Sequence, residues 1–150
     1  MSAQANSATV LVVDDDVDHC MMLEVALHTL GYQVLLAHSV RDAVALLKKE
    51  DVDALLCDLT LGDGTALDVL RAIGARRPRV SVVLSGFDAE EDRERSVAAG
   101  FDEHLVKPTS IDVLGETLGR GLARRKSGIR LAKAKIDPID LERAKKLRNG

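Results

Sequence analysis

Aromatic residues are nearly missing from this chain of 150 residues, which has no Trp, one Tyr and two Phe. Recognition of nucleic-acid bases or sugars by stacking is therefore not expected as a main mode of binding. Aliphatic side chains must form the core, because hydrophobic residues still make up 46% of the sequence. This composition is typical of a single globular domain and argues against a disordered chain.

Cysteine and long apolar runs are also scarce. Cys20 and Cys57 show neither CxxC nor metal-ligand spacing, which favours reduced thiols and a cytoplasmic location. No run approaches the roughly 18 apolar residues that a membrane helix needs. Residues 1–8 lack the basic start and apolar core of a signal peptide. We expect no membrane segment and a disordered N-terminus over residues 1–8.

The two ends of the chain differ in charge. Residues 1–119 carry 10 Lys and Arg against 21 Asp and Glu, whereas residues 120–150 carry 11 against 3. Residues 126–150 are predicted to form a basic tail that begins as a linker and ends in a short helix at about 138–148. The tail is too short for a helix-turn-helix domain, so direct DNA binding is not expected. A solvated extension is the simplest interpretation; a docking peptide, a nucleic-acid arm and a lid on the acidic domain are alternatives.

Five short apolar runs alternate with five helical patterns between residues 9 and 125. The runs are continuous rather than alternating, which is typical of parallel strands covered by helices on both faces. This pattern predicts an α/β fold with a doubly wound sheet, either flavodoxin-like with strand order 2-1-3-4-5 or a Rossmann-type half. No G-x-G-x-x-G follows the first strand, so a dinucleotide site is not supported. In the first helix, the apolar residues that recur at helical spacing, and so predict one buried face, are Met22, Leu23, Ala26, Leu27 and Leu30. The five predicted strands cover residues 9–13, 33–37, 53–58, 79–86 and 103–108.

Carboxylates follow two of these strands. Asp14 and Asp15 come after the first strand, and Asp58 ends the third. In the order 2-1-3-4-5 these strand ends meet at the switch point, where ligands of doubly wound sheets bind. Three carboxylates in one place resist ionising together unless a cation lies among them. Oxygen ligands of this kind select a hard cation, and Mg²⁺ fits best.

Two further polar side chains are predicted at the same edge. Ser85 ends the fourth strand and Lys107 ends the fifth. Carboxylates, a metal ion, a hydroxyl and an ammonium form a site that suits a phosphoryl group, with one carboxylate as nucleophile.

The motifs VLVVDDD, LLCDLTLGDG, VVLSG and GFDEHLVKP occur in this order at the strand ends. Over residues 8 to 124 the chain resembles the response-regulator receiver domains of two-component signalling. Its sequence SGFDAEEDRERSVAAGFDEHLVKP is more similar to receivers attached to hybrid sensor kinases than to those of transcription factors. The resemblance implies that Asp58 accepts a phosphoryl group. It also implies that Asp14, Asp15 and the backbone carbonyl of Thr60 hold Mg²⁺ with Asp58. The remaining implied roles are Ser85 and Lys107 as partners of the phosphoryl group, His104 at the switch position and a cis bond before Pro108.

The function implied is that of a single-domain response regulator. A histidine kinase or histidine phosphotransfer protein would phosphorylate Asp58, and output would pass through the face of helix 4, strand 5 and helix 5, or through a phosphorelay. The chain departs from the family at three positions. The family often has Pro where this chain has Gly62, Ala where it has Gly86 and an aromatic residue where it has His104. His19, His28 and His38 lack ligand spacing and are interpreted as ordinary surface residues.

Two other functions stay open. One is a degenerate receiver that binds partners without phosphorylation. The other is a phosphatase of the haloacid dehalogenase type, which also uses a strand-end Asp with Mg²⁺; here the Asp-x-Asp pair with a nearby Thr is missing after the first strand, and DGT follows the third.

Overall fold

The computed structural model describes residues 8–86 and 90–135, and the side chains of residues 8–86 and 93–123. Residues 1–7 of the predicted disordered N-terminus and the predicted helix at about 138–148 lie outside the described residues. Ala8 already belongs to the folded domain, because its carbonyl accepts a hydrogen bond from the N–H of Gln33.

Five parallel strands form one sheet with the order β2-β1-β3-β4-β5. The flavodoxin-like prediction is confirmed, and the central strands are buried on both faces, as the continuous apolar runs indicated. β1 lies between β2 and β3, where Val13 pairs with Ala37 on one side and with Cys57 on the other. The strands are β1 (Thr9–Val13), β2 (Gln33–Ala37), β3 (Ala54–Asp58), β4 (Val80–Ser85) and β5 (Glu103–Val106).

The helices begin and end at residues suited to those positions. Ser39 accepts a hydrogen bond from the N–H of Asp42 at the start of α2, and Thr65 forms a capping box with Asp68 at the start of α3. Gly31 and Gly100 have φ of 97° and 106° just beyond α1 and α4, a conformation that Gly adopts without strain. The helices are α1 (Val17–Thr29), α2 (Val40–Lys49), α3 (Ala66–Ile73), α4 (Glu90–Ala99) and α5 (Ile111–Lys135), with a 3₁₀ turn at Gly74–Arg76.

Successive side chains of each strand enter two cores on opposite faces of the sheet. On one face Leu11 and Leu55 pack with α2 and α3, and on the other Val12 and Leu56 pack with α1 and α5. The three layers leave the carboxyl ends of the strands open at one edge, where Asp14 follows β1 and where Asp58 and Ser85 end β3 and β4.

The described parts of α1 and α5 differ from their predictions. α1 buries Cys20, Leu23 and Leu27, whereas Met22 is 68% exposed, so its predicted burial was wrong because Met22 lies off that stripe. Val17, Met21 and Val25 are also exposed, at four-residue spacing.

Helix α5 continues to Lys135, where the sequence predicted a linker from residue 126. Its last turns contain the good helix formers Ala, Leu, Lys and Arg, and one Gly costs only about 1 kcal/mol relative to Ala. No helix within residues 8–86 and 90–135 combines the length and apolar character needed to cross a membrane.

Candidate functional site

Asp14 is the most enclosed of the acidic residues at the edge. It follows β1 directly and is 1% exposed. Its Oδ1 accepts a hydrogen bond from the N–H of Asp16 at 2.9 Å. Its Oδ2 contacts Nδ1 of His19 and lies 3.5 Å from Nζ of Lys107. Both oxygens of this buried carboxylate therefore have partners, which is what its burial requires.

Asp58 ends β3 and is half-buried. Nζ of Lys107 lies 2.9 Å from its Oδ1, so the two side chains form an ion pair. Burial raises the pKa of Asp58; the hydrogen bond and charge of Lys107 lower it, and Asp14 and Asp15 raise it further. The net pKa is raised, so burial and like charge outweigh the ammonium.

The pKa of Lys107 is raised as well. Burial alone would lower it, but the hydrogen bond to Asp58 and the negative charges of Asp58 and Asp14 favour the ammonium more strongly. Lys107 therefore stays charged and holds two carboxylates that come from different strands.

Asp14, Asp15 and Asp58 could hold a cation between them, because one carboxylate oxygen from each lies within 4.8 Å of the other two. Asp14 is buried, Asp15 is exposed and Asp58 is half-buried. Carboxylates with an exposed side suit Mg²⁺, which binds through one or two carboxylates and keeps several waters. The residues present fit that ion.

A cavity of about 420 Å³ opens beside Asp58. Ser85, the last residue of β4, is 3% exposed and lies in its wall. The loop that carries Thr60 is part of a short hairpin, Thr60–Leu61 with Gly64–Thr65, which the sequence did not reveal. The lining consists of Asp58, Leu59, Thr60, Thr65, Leu67, Ser85, Gly86 and Arg95.

The loop after Asp58 is fastened to helix α2. The carboxylate of Asp63 accepts hydrogen bonds from the N–H groups of Val40 at 2.8 Å and Arg41 at 3.1 Å. These two N–H groups lower the pKa of Asp63, since they favour the carboxylate. Gly62 has open space around the position of a Cβ atom, so neither packing nor a positive φ requires glycine there.

The remaining residues singled out from the sequence lie around the same edge. The Lys107–Pro108 peptide bond is cis. His104, on β5, is 7% exposed, and its Nε2 lies 3.0 Å from the hydroxyl of Ser85. Cys57 is fully buried in the core, and burial raises the pKa of its thiol.

Two histidines interpreted as ordinary surface residues contact Asp14; the interpretation was wrong for His19, which reaches the carboxylate, whereas His38 is exposed as expected. Nδ1 of His19 contacts the carboxylate of Asp14, and Nδ1 of His38 lies 2.9 Å from the backbone oxygen of Asp14. His19 reaches Asp14 because helix α1 begins close behind it, at Val17. A position five residues after a strand-end carboxylate, in the first turn of a helix, is the signal that could have indicated the contact.

Fold and site together define an α/β protein with an acidic, lysine-paired pocket at the switch point of a parallel sheet. A family model described as the response regulator receiver domain matches residues 10–118. The chain belongs to this family.

Relatives and solved structures agree with this assignment. The transcriptional regulatory protein ZraR of Salmonella typhimurium is 36% identical over 127 residues, which cover 83% of this chain and 29% of that protein. The probable transcriptional regulatory protein TcrX of Mycobacterium tuberculosis is 35% identical over 124 residues, 82% of this chain and 53% of that protein. The chain thus spans about half or less of the length of these relatives.

Among solved structures, the receiver domain of a sensor histidine kinase from Pseudomonas aeruginosa is 27% identical, with a TM-score of 0.72 over 78% of this chain and 98% of that one. That structure has a magnesium ion coordinated in its active site cleft. A CheY-like receiver domain protein from Methanospirillum hungatei has a TM-score of 0.77 over 82% of this chain and 99% of that one, and at 24% identity shows the fold alone.

Proposed function

We propose that this receiver domain takes a phosphoryl group from a phosphohistidine of a histidine kinase or phosphotransfer protein onto Asp58. The observation that carries the proposal is the ion pair of Asp58 and Lys107 inside a group of three carboxylates. This arrangement places an oxygen nucleophile, a fixed cation and further oxygen ligands around one open cavity.

In the transfer, an Asp58 oxygen forms a bond to phosphorus while the bond from phosphorus to the histidine nitrogen breaks. The histidine nitrogen keeps the electron pair of the broken bond, and Asp58 becomes an acyl phosphate. Bound Mg²⁺, held by Asp14, Asp15, Asp58 and the carbonyl of Thr60, would supply charge neutralisation for the phosphoryl oxygens. Lys107 already lies beside the reacting oxygen and supplies a second positive charge.

The protein then acts as a switch that carries a covalent mark, and not as an enzyme that turns over a separate substrate. Ser85 lines the cavity beside Asp58 and Lys107 approaches Asp58, so both can respond to an added phosphoryl group. His104 contacts Ser85 and connects this response to β5. The signal would leave by protein–protein contact or by onward transfer in a phosphorelay.

The face formed by α4, β5 and α5 is the proposed surface for a downstream protein. Val97 on α4 is 58% exposed and Val113 on α5 is 42% exposed. Residues of β5, of the turn after it and of the start of α5 line a depression that includes Val106, Pro108 and Val113. Exposed apolar side chains beside Ser85 and His104 suit a protein partner whose binding depends on how these two residues are arranged.

The experiment is intact-mass spectrometry of the chain after incubation with acetyl phosphate and Mg²⁺. The proposal expects the mass of one phosphoryl group on the parent protein and none on Asp58→Asn. No gain in the parent, with acetyl phosphate or with a panel of phosphorylated histidine kinases, would contradict phosphoacceptance and favour a receiver that binds partners without phosphorylation. Turnover of p-nitrophenyl phosphate would instead support a phosphatase.

A further inference from the structure

A second cation lies at the cavity beside Asp58. Arg95, on α4, lines this cavity together with Asp58. Lys107 approaches Asp58 from the side of the acidic group, with its Nζ 2.9 Å from Oδ1 of Asp58 and 3.5 Å from Oδ2 of Asp14. Lys107 is not among the described residues that line the cavity. The cavity therefore has a cation of its own, separate from the one that pairs with Asp58.

The position of Arg95 is set by its helix, and its charge is not used inside the protein. Ser96 is 1% exposed and Val97 is 58% exposed, so the burial of Ser96 fixes which way α4 is turned. Arg95 is exposed and makes neither a hydrogen bond nor an ion pair with the described residues. A guanidinium has five N–H donors and is always charged. These donors are available to an anion that enters the cavity.

The cavity is larger than a phosphoryl group requires. Pockets that hold complete small ligands have volumes of about 300 to 1,000 Å³, and this cavity has about 420 Å³. A small phosphodonor can therefore enter with its leaving group still attached. In phosphoryl transfer the attacking and leaving atoms lie in line on opposite sides of phosphorus. With Asp58 as the nucleophile, the leaving group points away from Asp58 and into the rest of the cavity, which Arg95 lines.

Phosphodonors differ in the charge of the group that leaves. When an acyl phosphate reacts, the bridging oxygen keeps the electron pair of its bond to phosphorus and departs as part of a carboxylate. When a phosphoramidate protonated on nitrogen reacts, the nitrogen keeps the pair and departs as a neutral amine. A guanidinium pairs with a carboxylate through two parallel N–H bonds and stabilises the charge that develops on the leaving oxygen. It provides no comparable stabilisation to a neutral amine.

We propose that Arg95 is a specificity-determining residue, which binds the carboxylate leaving group of small acyl phosphates and selectively speeds phosphoryl transfer from them. The proposal rests on the proposed phosphorylation of Asp58. In the step, an Asp58 oxygen forms a bond to phosphorus while the bond from phosphorus to the bridging oxygen breaks. The released carboxylate pairs with Arg95 until it leaves the cavity. Transfer from phosphohistidine, which releases a neutral imidazole, does not use this contact.

The experiment measures the rate at which the full chain is phosphorylated by acetyl phosphate and by phosphoramidate, each with Mg²⁺, using intact-mass spectrometry. We expect Arg95→Ala to lower the ratio of the acetyl phosphate rate constant to the phosphoramidate rate constant about tenfold, the scale of one hydrogen bond to a charged group. Carbamoyl phosphate also releases a carboxylate, so its rate should fall as much as that of acetyl phosphate. Equal losses with acetyl phosphate and phosphoramidate would overturn the proposal.

The ratio separates donor recognition from a structural effect. Both donors label the same carboxylate, so a loss of folded protein lowers both rate constants and leaves their ratio unchanged. Arg93→Ala is the matched control, because Arg93 is exposed on the same helix and is not among the described residues of the cavity wall. Its ratio should equal that of the parent. An equal ratio in Arg95→Ala and Arg93→Ala would also overturn the proposal.

Arg95→Lys distinguishes the charge of the side chain from its shape. Lysine keeps the positive charge but lacks the planar pair of donors that matches a carboxylate, so its ratio should lie between those of the parent and Arg95→Ala. A ratio no higher than that of Arg95→Ala would contradict binding of the leaving group through the positive charge.

The two levels of the account fail in different ways. Labelling of Arg95→Ala by both donors with an unchanged ratio removes this inference and leaves phosphorylation of Asp58 standing. No labelling of the parent by either donor or by phosphorylated histidine kinases removes the proposed function and this inference with it.

Discussion

Lys107 and Asp58 are paired before any phosphoryl group arrives, with 2.9 Å between Nζ and Oδ1. Lys107 comes after the edge strand β5 and Asp58 ends the central strand β3, so the ion pair spans the carboxyl edge of the sheet above β4. If Asp58 is phosphorylated, the oxygens of the phosphoryl group would replace the carboxylate as the partner of this ammonium. The lysine would thereby link phosphorylation to β5.

Lys107→Ala should separate phosphorylation from its transmission. The variant still has Asp58 and the three carboxylates, so acetyl phosphate should label it, at a rate within about tenfold of the parent. Amide NMR shifts of α4, β5 and α5 on phosphorylation should be much smaller than in the parent, because no cation follows the phosphoryl group. Lys49→Ala, an exposed lysine at the end of α2, is the control. Full NMR changes in Lys107→Ala would show that the lysine does not transmit.

Asp15→Ala should abolish stabilisation by Mg²⁺. A ligand at a hundred times its dissociation constant adds about 2.7 kcal/mol to the free energy of unfolding, so Mg²⁺ should raise the Tm of the parent measurably. The variant removes one of the three carboxylates that lie within 4.8 Å of one another. Scanning calorimetry with and without Mg²⁺ measures the effect, with Asp42→Asn on α2 as control. An equal Mg²⁺ shift in Asp15→Ala would place the ion elsewhere.

Without Mg²⁺, the contribution of Asp58 to the free energy of unfolding should fall as the pH rises through the raised pKa of its carboxyl. A carboxyl that binds its proton more tightly in the folded protein favours folding when protonated; the benefit is complete below the unfolded value of 3.8 and is lost above the raised pKa. Asp58→Asn should therefore raise the Tm at neutral pH without Mg²⁺, and its advantage should shrink on acidification. Thermal unfolding at a series of pH values tests this. A lower Tm for Asp58→Asn at neutral pH would show that the Lys107 ion pair outweighs burial.

Two glycines of α5 should respond in opposite directions to alanine. Gly119 has open space around the position of a Cβ atom, so Gly119→Ala should stabilise the protein by about 1 kcal/mol through helix propensity. A Cβ on Gly121 would lie 2.8 Å from Cγ2 of Val80, so Gly121→Ala should destabilise the protein despite the better propensity. Urea unfolding compares the two variants. Equal stabilisation by both would mean that α5 does not pack closely on β4.

The fold could be predicted because its central strands are buried and several of its helices are capped locally. β1, for example, is a continuous apolar run followed at once by carboxylates, and Ser39 caps α2 through the N–H of Asp42, three residues later in the sequence. The hairpin after Asp58 could not be predicted, since its strands have two residues each and no periodicity. The exposure of the Met22 side chain could not be predicted either, because α1 has apolar residues on more than one face.

Candidate site residues at strand ends could be predicted because parallel strands bring their carboxyl ends to one edge. Contacts made across the turn into a helix or from a neighbouring loop were missed. His19 contacts Asp14 from the first turn of α1, and His38 reaches it from the loop after β2. The spacing of His19 in the first turn of α1 could have indicated its contact, whereas the contact of His38 depends on the backbone direction after β2, which no residue pattern specifies.

The most direct test of the account is to locate the phosphoryl group itself. After labelling with acetyl phosphate and Mg²⁺, borohydride reduction converts an aspartyl phosphate to homoserine, which peptide mass spectrometry identifies by position. The account predicts homoserine at position 58 and at no other aspartate. Homoserine at position 14 or 15, or labelling of the protein without any at position 58, would contradict it.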